Sequence, residues 1–223
     1  MNAIHRQGLT YGNGKLYLST GLYGRSNVRE ISKTDGTKIL DNIQLSSNYF
    51  GEGLAFYKDK LIQLTWKEDT GFIYETKPSL KLIKTFTFTT TKNEGWGITY
   101  HPTKSQFIVS DGSHYLHFWD ETTLQQTHKL PVIDQMGYIV KNLNELEYFD
   151  ENRILANKWF TDKIYLINVN TGNVEQELDF SDLWPKGLRD RSADVFNGIS
   201  IFDNGDFVVT GKLWSKMFRI RFS

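Results

Sequence analysis

The sequence contains no cysteine, which excludes disulfides, thiol nucleophiles and thiolate metal sites but leaves the compartment open. An excess of either charge is also missing, because 26 basic residues balance 26 acidic ones. Binding a phosphate backbone needs a positive face, so nucleic acid is not an expected partner. No apolar run reaches the roughly 18 residues of a spanning helix, so no membrane segment is expected. The start of the chain carries Arg6, Asn13 and Lys15 and no continuous apolar stretch, which does not read as an export signal. Asn-x-Ser/Thr sequons are absent. Only 4 prolines occur, and no Pro/Gly/Ser-rich linker divides the 223 residues, so one domain over residues 1–223 is expected.

Aromatic residues, by contrast, are plentiful: they make up 14% of the chain and include 6 Trp. Several stand beside polar residues, which a plain core does not require.

The organising feature is a repeat. Gln7-Gly8-Leu9-Thr10-Tyr11, Glu52-Gly53-Leu54-Ala55-Phe56, Trp96-Gly97-Ile98-Thr99-Tyr100, Asn144-Glu145-Leu146-Glu147-Tyr148 and Asn197-Gly198-Ile199-Ser200-Ile201 are alike, with steps of 45, 44, 48 and 53 residues. A turn follows each one, Asn13-Gly14 being the clearest, and then further β-rich runs. Periods of about 40–50 residues with several strands per unit predict an all-β, five-bladed propeller. The fifth repeat ends after three runs, and only Met1-Asn2-Ala3-Ile4 precede the first. Those four residues fall short of a strand of about five to six, so an incompletely closed last blade with an exposed edge is expected.

Register and hairpin geometry select candidate site residues. Glu52 opens the first strand of repeat two, and Gln7, Trp96, Asn144 and Asn197 share its position in the other repeats. A hairpin returns the chain to the end where it began, so Trp66, Trp159 and Lys212, which close second strands, should lie near Glu52. One proton carrier, one amide, one cation and three indoles would then surround one opening. Asp111 reads as a turn former. His114 and His117, three apart on a strand, face opposite ways and are not expected to chelate a metal. The connection 182–194 reads as a solvated loop, with a rim or lid as the alternative.

Taken together, these segments resemble the plant- and bacterial-type glutaminyl-peptide cyclotransferases, or glutaminyl cyclases. The carriers are Gln7-Gly8-Leu9, Ser19-Thr20-Gly21-Leu22-Tyr23-Gly24, Phe50-Gly51-Glu52-Gly53-Leu54, Leu64-Thr65-Trp66, Gly95-Trp96-Gly97, Leu143-Asn144-Glu145-Leu146-Glu147-Tyr148, Ala156-Asn157 with Trp159, and Thr210-Gly211-Lys212-Leu213-Trp214. The resemblance implies a five-bladed propeller that converts N-terminal glutamine of peptides to pyroglutamate with release of ammonia. It implies Glu52 as general acid/base, Asn144 and Lys212 as polar active-site groups, and Gln7, Phe50, Trp66, Trp96 and Trp159 as pocket lining. No cofactor or metal is expected. The expected state is a monomer acting on peptides or proteins that begin with Gln, and a secreted or periplasmic location follows if an upstream export signal is missing. His5-Arg6 replace the Phe-Thr usual in the family.

Two other functions fit the same residues. In a metal-dependent lactonase- or esterase-like propeller, Glu52, Asn144 and Asn197 would offer oxygen ligands to calcium. In a non-catalytic binding propeller, the same opening would hold a ligand without turning it over.

Overall fold

The structure is a computed structural model and describes residues 5–221. Five antiparallel sheets follow one another along the chain. Blade one comprises β1 (Arg6–Gly12), β2 (Lys15–Thr20), β3 (Asn27–Ile31) and β4 (Ile39–Gln44). Blade two comprises β5 (Gly51–Tyr57), β6 (Lys60–Thr65), β7 (Thr70–Glu75) and β8 (Lys81–Thr87). Blade three comprises β9 (Ile98–His101), β10 (Gln106–Ser110), β11 (Tyr115–Asp120) and β12 (Gln126–Pro131). Blade four comprises β13 (Leu143–Asp150), β14 (Arg153–Lys158), β15 (Lys163–Asn168) and β16 (Val174–Asp179). Blade five holds three strands among the described residues, β17 (Phe196–Ile201), β18 (Phe207–Gly211) and β19 (Phe218–Ile220). The expectation about Met1–Ile4 and blade closure falls on residues outside those described.

Hydrogen bonds between the innermost strands close the circle. Phe56 N donates to Thr10 Oγ1 at 3.1 Å, Gly53 N to Trp96 O at 2.7 Å and Tyr148 N to Thr99 Oγ1 at 2.9 Å. Ile201 N donates to Glu147 Oε1 at 3.0 Å, and Asn197 Nδ2 returns to Gln7 O at 3.0 Å. Thr10, Thr99 and Glu147 hold the same place in their repeats, so the repeat itself supplies the inter-blade bonds. Arg6, buried from solvent, adds a hydrogen bond from its guanidinium to the Trp214 carbonyl across the seam between blades one and five.

The core is divided in the same way. Each of five apolar clusters fills the space between two neighbouring blades. Ile62, Leu64, Phe107 and Trp119 pack between blades two and three, and Leu9, Leu18, Phe202 and Val208 between five and one. The alternation of the inner strands sends Leu9, Leu54, Ile98, Leu146 and Ile199 into these wedges, all essentially inaccessible.

The second position of the repeat is Gly8, Gly53, Gly97 and Gly198 in four blades and Glu145 in the other. The inner strands approach so closely here that a Cβ on Gly97 would overlap the Asn144 carbonyl oxygen and lie 2.9 Å from Glu145 Cα. Backbone cannot yield as a flexible side chain can. Gly97→Ala is therefore expected to cost about 3 kcal/mol or more, read as a lowered midpoint in urea. Glu145 fills the space the glycines leave. Its carboxylate crosses the axis, and Oε1 accepts Leu9 N at 3.1 Å.

The connection between β16 and β17 is more ordered than a solvated loop. Trp184 is buried against Trp214 at 5.1 Å between ring centres, and Arg189 pairs with Asp162 at 2.8 Å. A single 3-10 turn, Lys186–Leu188, lies between these anchors, and its residues are exposed. The sequence reading missed the anchoring because it depends on partners about thirty residues away.

Candidate functional site

At one end of the axis lies a cavity of about 220 Å³ lined by Gln7, Phe50, Glu52, Trp66, Trp96, Asn144, Trp159 and Lys212. These eight were selected from the sequence, and the fold brings all of them together. Gln7, Glu52 and Asn144 stand at the starts of inner strands, with Phe50 and Trp96 just before theirs. Trp66, Trp159 and Lys212 directly follow β6, β14 and β18, as the hairpin return requires.

A bulge turns the strand starts toward the cavity. Pairing slips between Arg6 and Gly8, Gly51 and Leu54, Leu143 and Leu146, and Phe196 and Ile199, at the same place in four blades. A bulge removes a residue from the ladder and re-aims its side chain. Glu52 and Asn144 lie within these slips, and Gln7 lies between the shifted partners of β1. The released backbone groups bond to other blades, as Gly53 N does to Trp96 O. Asn197 sits in the matching slip of blade five but does not line the cavity. Its Nδ2 donates to the Gln7 carbonyl at 3.0 Å, and its buried Oδ1 has no hydrogen-bond partner among the described residues.

The cavity walls are aromatic and mutually braced. Phe50 meets Trp66 edge-on at 5.6 Å, and Tyr23 meets the other side of Phe50 at 5.3 Å. Trp96 and Trp159 meet at 5.1 Å in a T-shaped pair. Phe160, exposed at the surface, stacks on Trp159 at 3.9 Å. Gly21 lies against Phe50 and Gln7, where a Cβ would come within 2.2 Å of the Phe50 ring and 2.7 Å of Gln7 Cγ, so only glycine lets this wall close up.

Glu52 is 5% exposed and makes no side-chain hydrogen bond among the described residues. Burial raises its carboxyl from 4.5 to about 8, against the opposing pull of Lys212 and with added repulsion from Glu94 and Glu68. Burial prevails over the lysine. The amide oxygens of Gln7 and Asn144 are buried and have no hydrogen-bond partner among the described residues.

Two further carboxyls follow along the axis. Glu145 is fully buried, and desolvation pushes it well above the ordinary value although it accepts Leu9 N. Glu147 accepts Ile201 N at 3.0 Å and Ser200 Oγ at 3.3 Å, and desolvation raises it to about 8. A carboxyl with a raised folded-state value holds its proton more tightly in the native state than in the unfolded chain. Its share of stability is complete below the unfolded value and is lost as pH rises through the folded value. For Glu52 the window runs from 4.5 to about 8. Relative to the parent, Glu52→Gln should therefore gain stability between pH 5 and pH 9, on the order of a few kcal/mol, in denaturation curves taken at both values.

Asp111 and His117 belong to the scaffold. His117 Nε2 lies 3.2 Å from Asp111, its Nδ1 contacts Gln126 at 2.6 Å, and both members of the pair are fully buried. Burial alone would raise the Asp111 carboxyl, but hydrogen bonds from His117 and Ser113 outweigh it and hold the group well below the carboxylate range. Asp111 accepts Ser113 N at 2.9 Å, the turn-forming bond its sequence position predicts. The His114 ring lies 4.0 Å from that of Tyr115, tilted by 37°.

Sequence reasoning missed the acidic residues of the cavity rim. Glu68 accepts the Tyr23 hydroxyl at 2.7 Å and Phe50 N at 3.1 Å. Glu94 accepts the indole N–H groups of Trp66 at 2.9 Å and Trp96 at 2.7 Å. Glu94 stands two residues before Trp96, a visible signal, but nothing local ties it to Trp66.

An all-β propeller with an aromatic cavity around a buried, protonatable carboxyl is the class that fold and site define. The chain matches the glutamine cyclotransferase family over residues 2–222 and belongs to that family. It is 36% identical over 220 residues to a glutaminyl-peptide cyclotransferase of Arabidopsis thaliana, an alignment that covers 96% of this chain and 66% of the relative. The chain thus spans slightly less than two thirds of that relative's length. Its fold resembles the crystal structure of Myxococcus xanthus glutaminyl cyclase with a TM-score of 0.86 and 28% identity, covering 98% of this chain and 90% of the other. The WD40 propeller domain of Doa1, at 13% identity and a TM-score of 0.54 over 92% of this chain and 61% of the other, shares the propeller fold alone.

Proposed function

We propose that the protein cyclises N-terminal glutamine of peptides or proteins to pyroglutamate and releases ammonia. The observation that carries this reading is the joint placement of Glu52, Asn144 and Lys212 in one aromatic cavity. Glu145 and the packed inner strands fill the axis beneath the cavity.

The reaction is intramolecular. The α-amine nitrogen attacks the γ-carboxamide carbon, a C–N bond forms, and the carbonyl oxygen becomes an oxyanion. Phe50, Trp66, Trp96 and Trp159 hold the methylenes in the coiled conformer that brings the two groups together. Such orientation is worth up to about 7–11 kcal/mol in the best cases. Lys212 and the Asn144 amide donate to the oxyanion, each such donor being typically worth about 2.7–4 kcal/mol. Glu52 takes the proton from the attacking nitrogen and returns it to the departing one, the old C–N bond breaks, and ammonia leaves.

A carboxyl held at about 8 is matched to this shuttle. A peptide α-amine titrates at about 7.7–8.0, so both partners exchange protons near neutrality with little driving force against them. The open amide oxygens of Gln7 and Asn144 would accept N–H groups of the substrate. A buried acceptor left unmet costs about 1–3 kcal/mol, which favours a ligand rich in N–H donors.

The test is direct. A glutaminyl peptide incubated with the protein should lose the mass of one ammonia, while the same peptide with an acetylated N-terminus stays unchanged. Unchanged mass for both peptides would favour a binding module, and hydrolysis of a lactone that stops on chelation would favour the metal-dependent alternative.

A further inference from the structure

We propose that Glu94 is a positioning residue that sets both the shape and the electrostatic potential of the cavity; this rests on the cyclisation reading above. One carboxylate oxygen, Glu94 Oε2, accepts both the Trp66 Nε1 proton at 2.9 Å and the Trp96 Nε1 proton at 2.7 Å. Trp66 ends the β6 hairpin return in blade two, and Trp96 opens blade three. A single group therefore sets the relative orientation of two of the three indole walls. Charged acceptors make shorter and stronger bonds than neutral ones, which suits a brace between blades.

The loop that carries Glu94 is itself fixed. Thr90 Oγ1 accepts Glu94 N at 3.1 Å and donates to Glu94 O at 2.9 Å. Lys92 N donates to Asp111 Oδ2 at 2.8 Å, so the buried Asp111–His117 pair anchors the same loop. Gly95 N donates to Trp66 O at 2.9 Å, and no side chain fits at position 95, because a Cβ there would lie 2.7 Å from Thr65 O and 2.8 Å from Phe88. On the outer side Lys67 stacks over Trp66 at 4.0 Å and lies 3.9 Å from Glu94 Oε1. The carboxylate is thus held in place before any substrate arrives, as a supporting residue must be.

Its charge acts on the reacting carboxyl as well. The charged groups that face Glu52 are Lys212, which favours ionisation, and Glu94 and Glu68, which oppose it. Glu145 and Tyr23 also interact electrostatically with Glu52. Removing the negative charge at position 94 while keeping an acceptor oxygen should make Glu52 easier to ionise.

Two variants separate the two effects. Glu94→Gln retains an oxygen for both indoles and loses the charge. Its KM should stay within about twofold of the parent, while the acid limb of the kcat/KM profile moves down by about half a pH unit. The substrate amine titrates identically in both experiments, so any difference between the profiles belongs to the protein. Glu94→Ala removes the acceptor, and KM should rise about tenfold or more with a smaller change in kcat. Near-UV circular dichroism of the tryptophans should change in Glu94→Ala and be kept in Glu94→Gln. An unmoved acid limb in Glu94→Gln, or parental KM in Glu94→Ala, would overturn the proposal. If the parent releases no ammonia from glutaminyl peptides, the cyclisation reading fails, and dichroism still decides the brace. A parental tryptophan spectrum in Glu94→Ala refutes it, and a changed spectrum restored in Glu94→Gln supports it.

Discussion

On the proposed reading, Glu52→Gln should lower kcat for glutaminyl peptides by about 10³, within the range of roughly 10²–10⁴ that a positioned acid/base contributes. The fold should survive, because Glu52 makes no side-chain hydrogen bond among the described residues whose loss would disturb a blade. Glutamine keeps the volume and polarity of the side chain but cannot carry a proton between two nitrogens. Binding should change little, since the indole walls and the Gln7 and Asn144 amides are untouched. The checks are stopped assays of ammonia, with KM compared to the parent and melting followed by far-UV circular dichroism. Cyclisation by Glu52→Gln at the parental rate would remove the carboxyl from the mechanism.

Lys212→Met should cost about 10²–10³ in kcat, the loss expected for one donor to a developing oxyanion. It should also move the pH profile. Lys212 is the group that pulls the Glu52 carboxyl down against burial, so its removal drives that value above about 8 and shifts the acid limb of kcat/KM upward. Glu94→Gln shifts the same limb downward, so the two variants bracket the parent from opposite sides. A general loss of structure would not produce shifts of opposite sign. The measurement is kcat/KM across pH 6–10 in buffers of constant ionic strength, because surface charges are screened by salt.

Much of this site is legible in the sequence because a propeller turns one-dimensional register into three-dimensional convergence. Glu52 and Asn144 lie far apart in the chain, yet both occupy the first place in a repeat, and every blade delivers that place to the same end of the axis. Trp66, Trp159 and Lys212 follow by the antiparallel return of a hairpin. Each of the five repeats begins within two residues of the start of an inner strand, since a two-residue period and an Asn-Gly turn are local signals. Blade pairing was legible for the same reason.

What the sequence did not reveal depends on contacts between repeats. Glu94 serves Trp66, which lies 28 residues earlier. Glu145 stands where the other blades carry glycine, so its side chain has room to cross the axis to Leu9. The state of Glu52 required the balance of burial against Lys212, which residue types alone do not settle. Asn197 shares the register of the site residues, but its amide turns to the Gln7 carbonyl. A repeat position can therefore assign a residue to the axis without assigning its direction.

The central claim is that the Glu52 carboxyl, buried at the head of the axis, changes protonation near neutral pH. Infrared difference titration reads this without turnover, with the protonated carboxyl stretch assigned by its loss in Glu52→Gln. The account predicts a band that persists at pH 7 and disappears with a midpoint near 8. A carboxyl already ionised at pH 5 would contradict it.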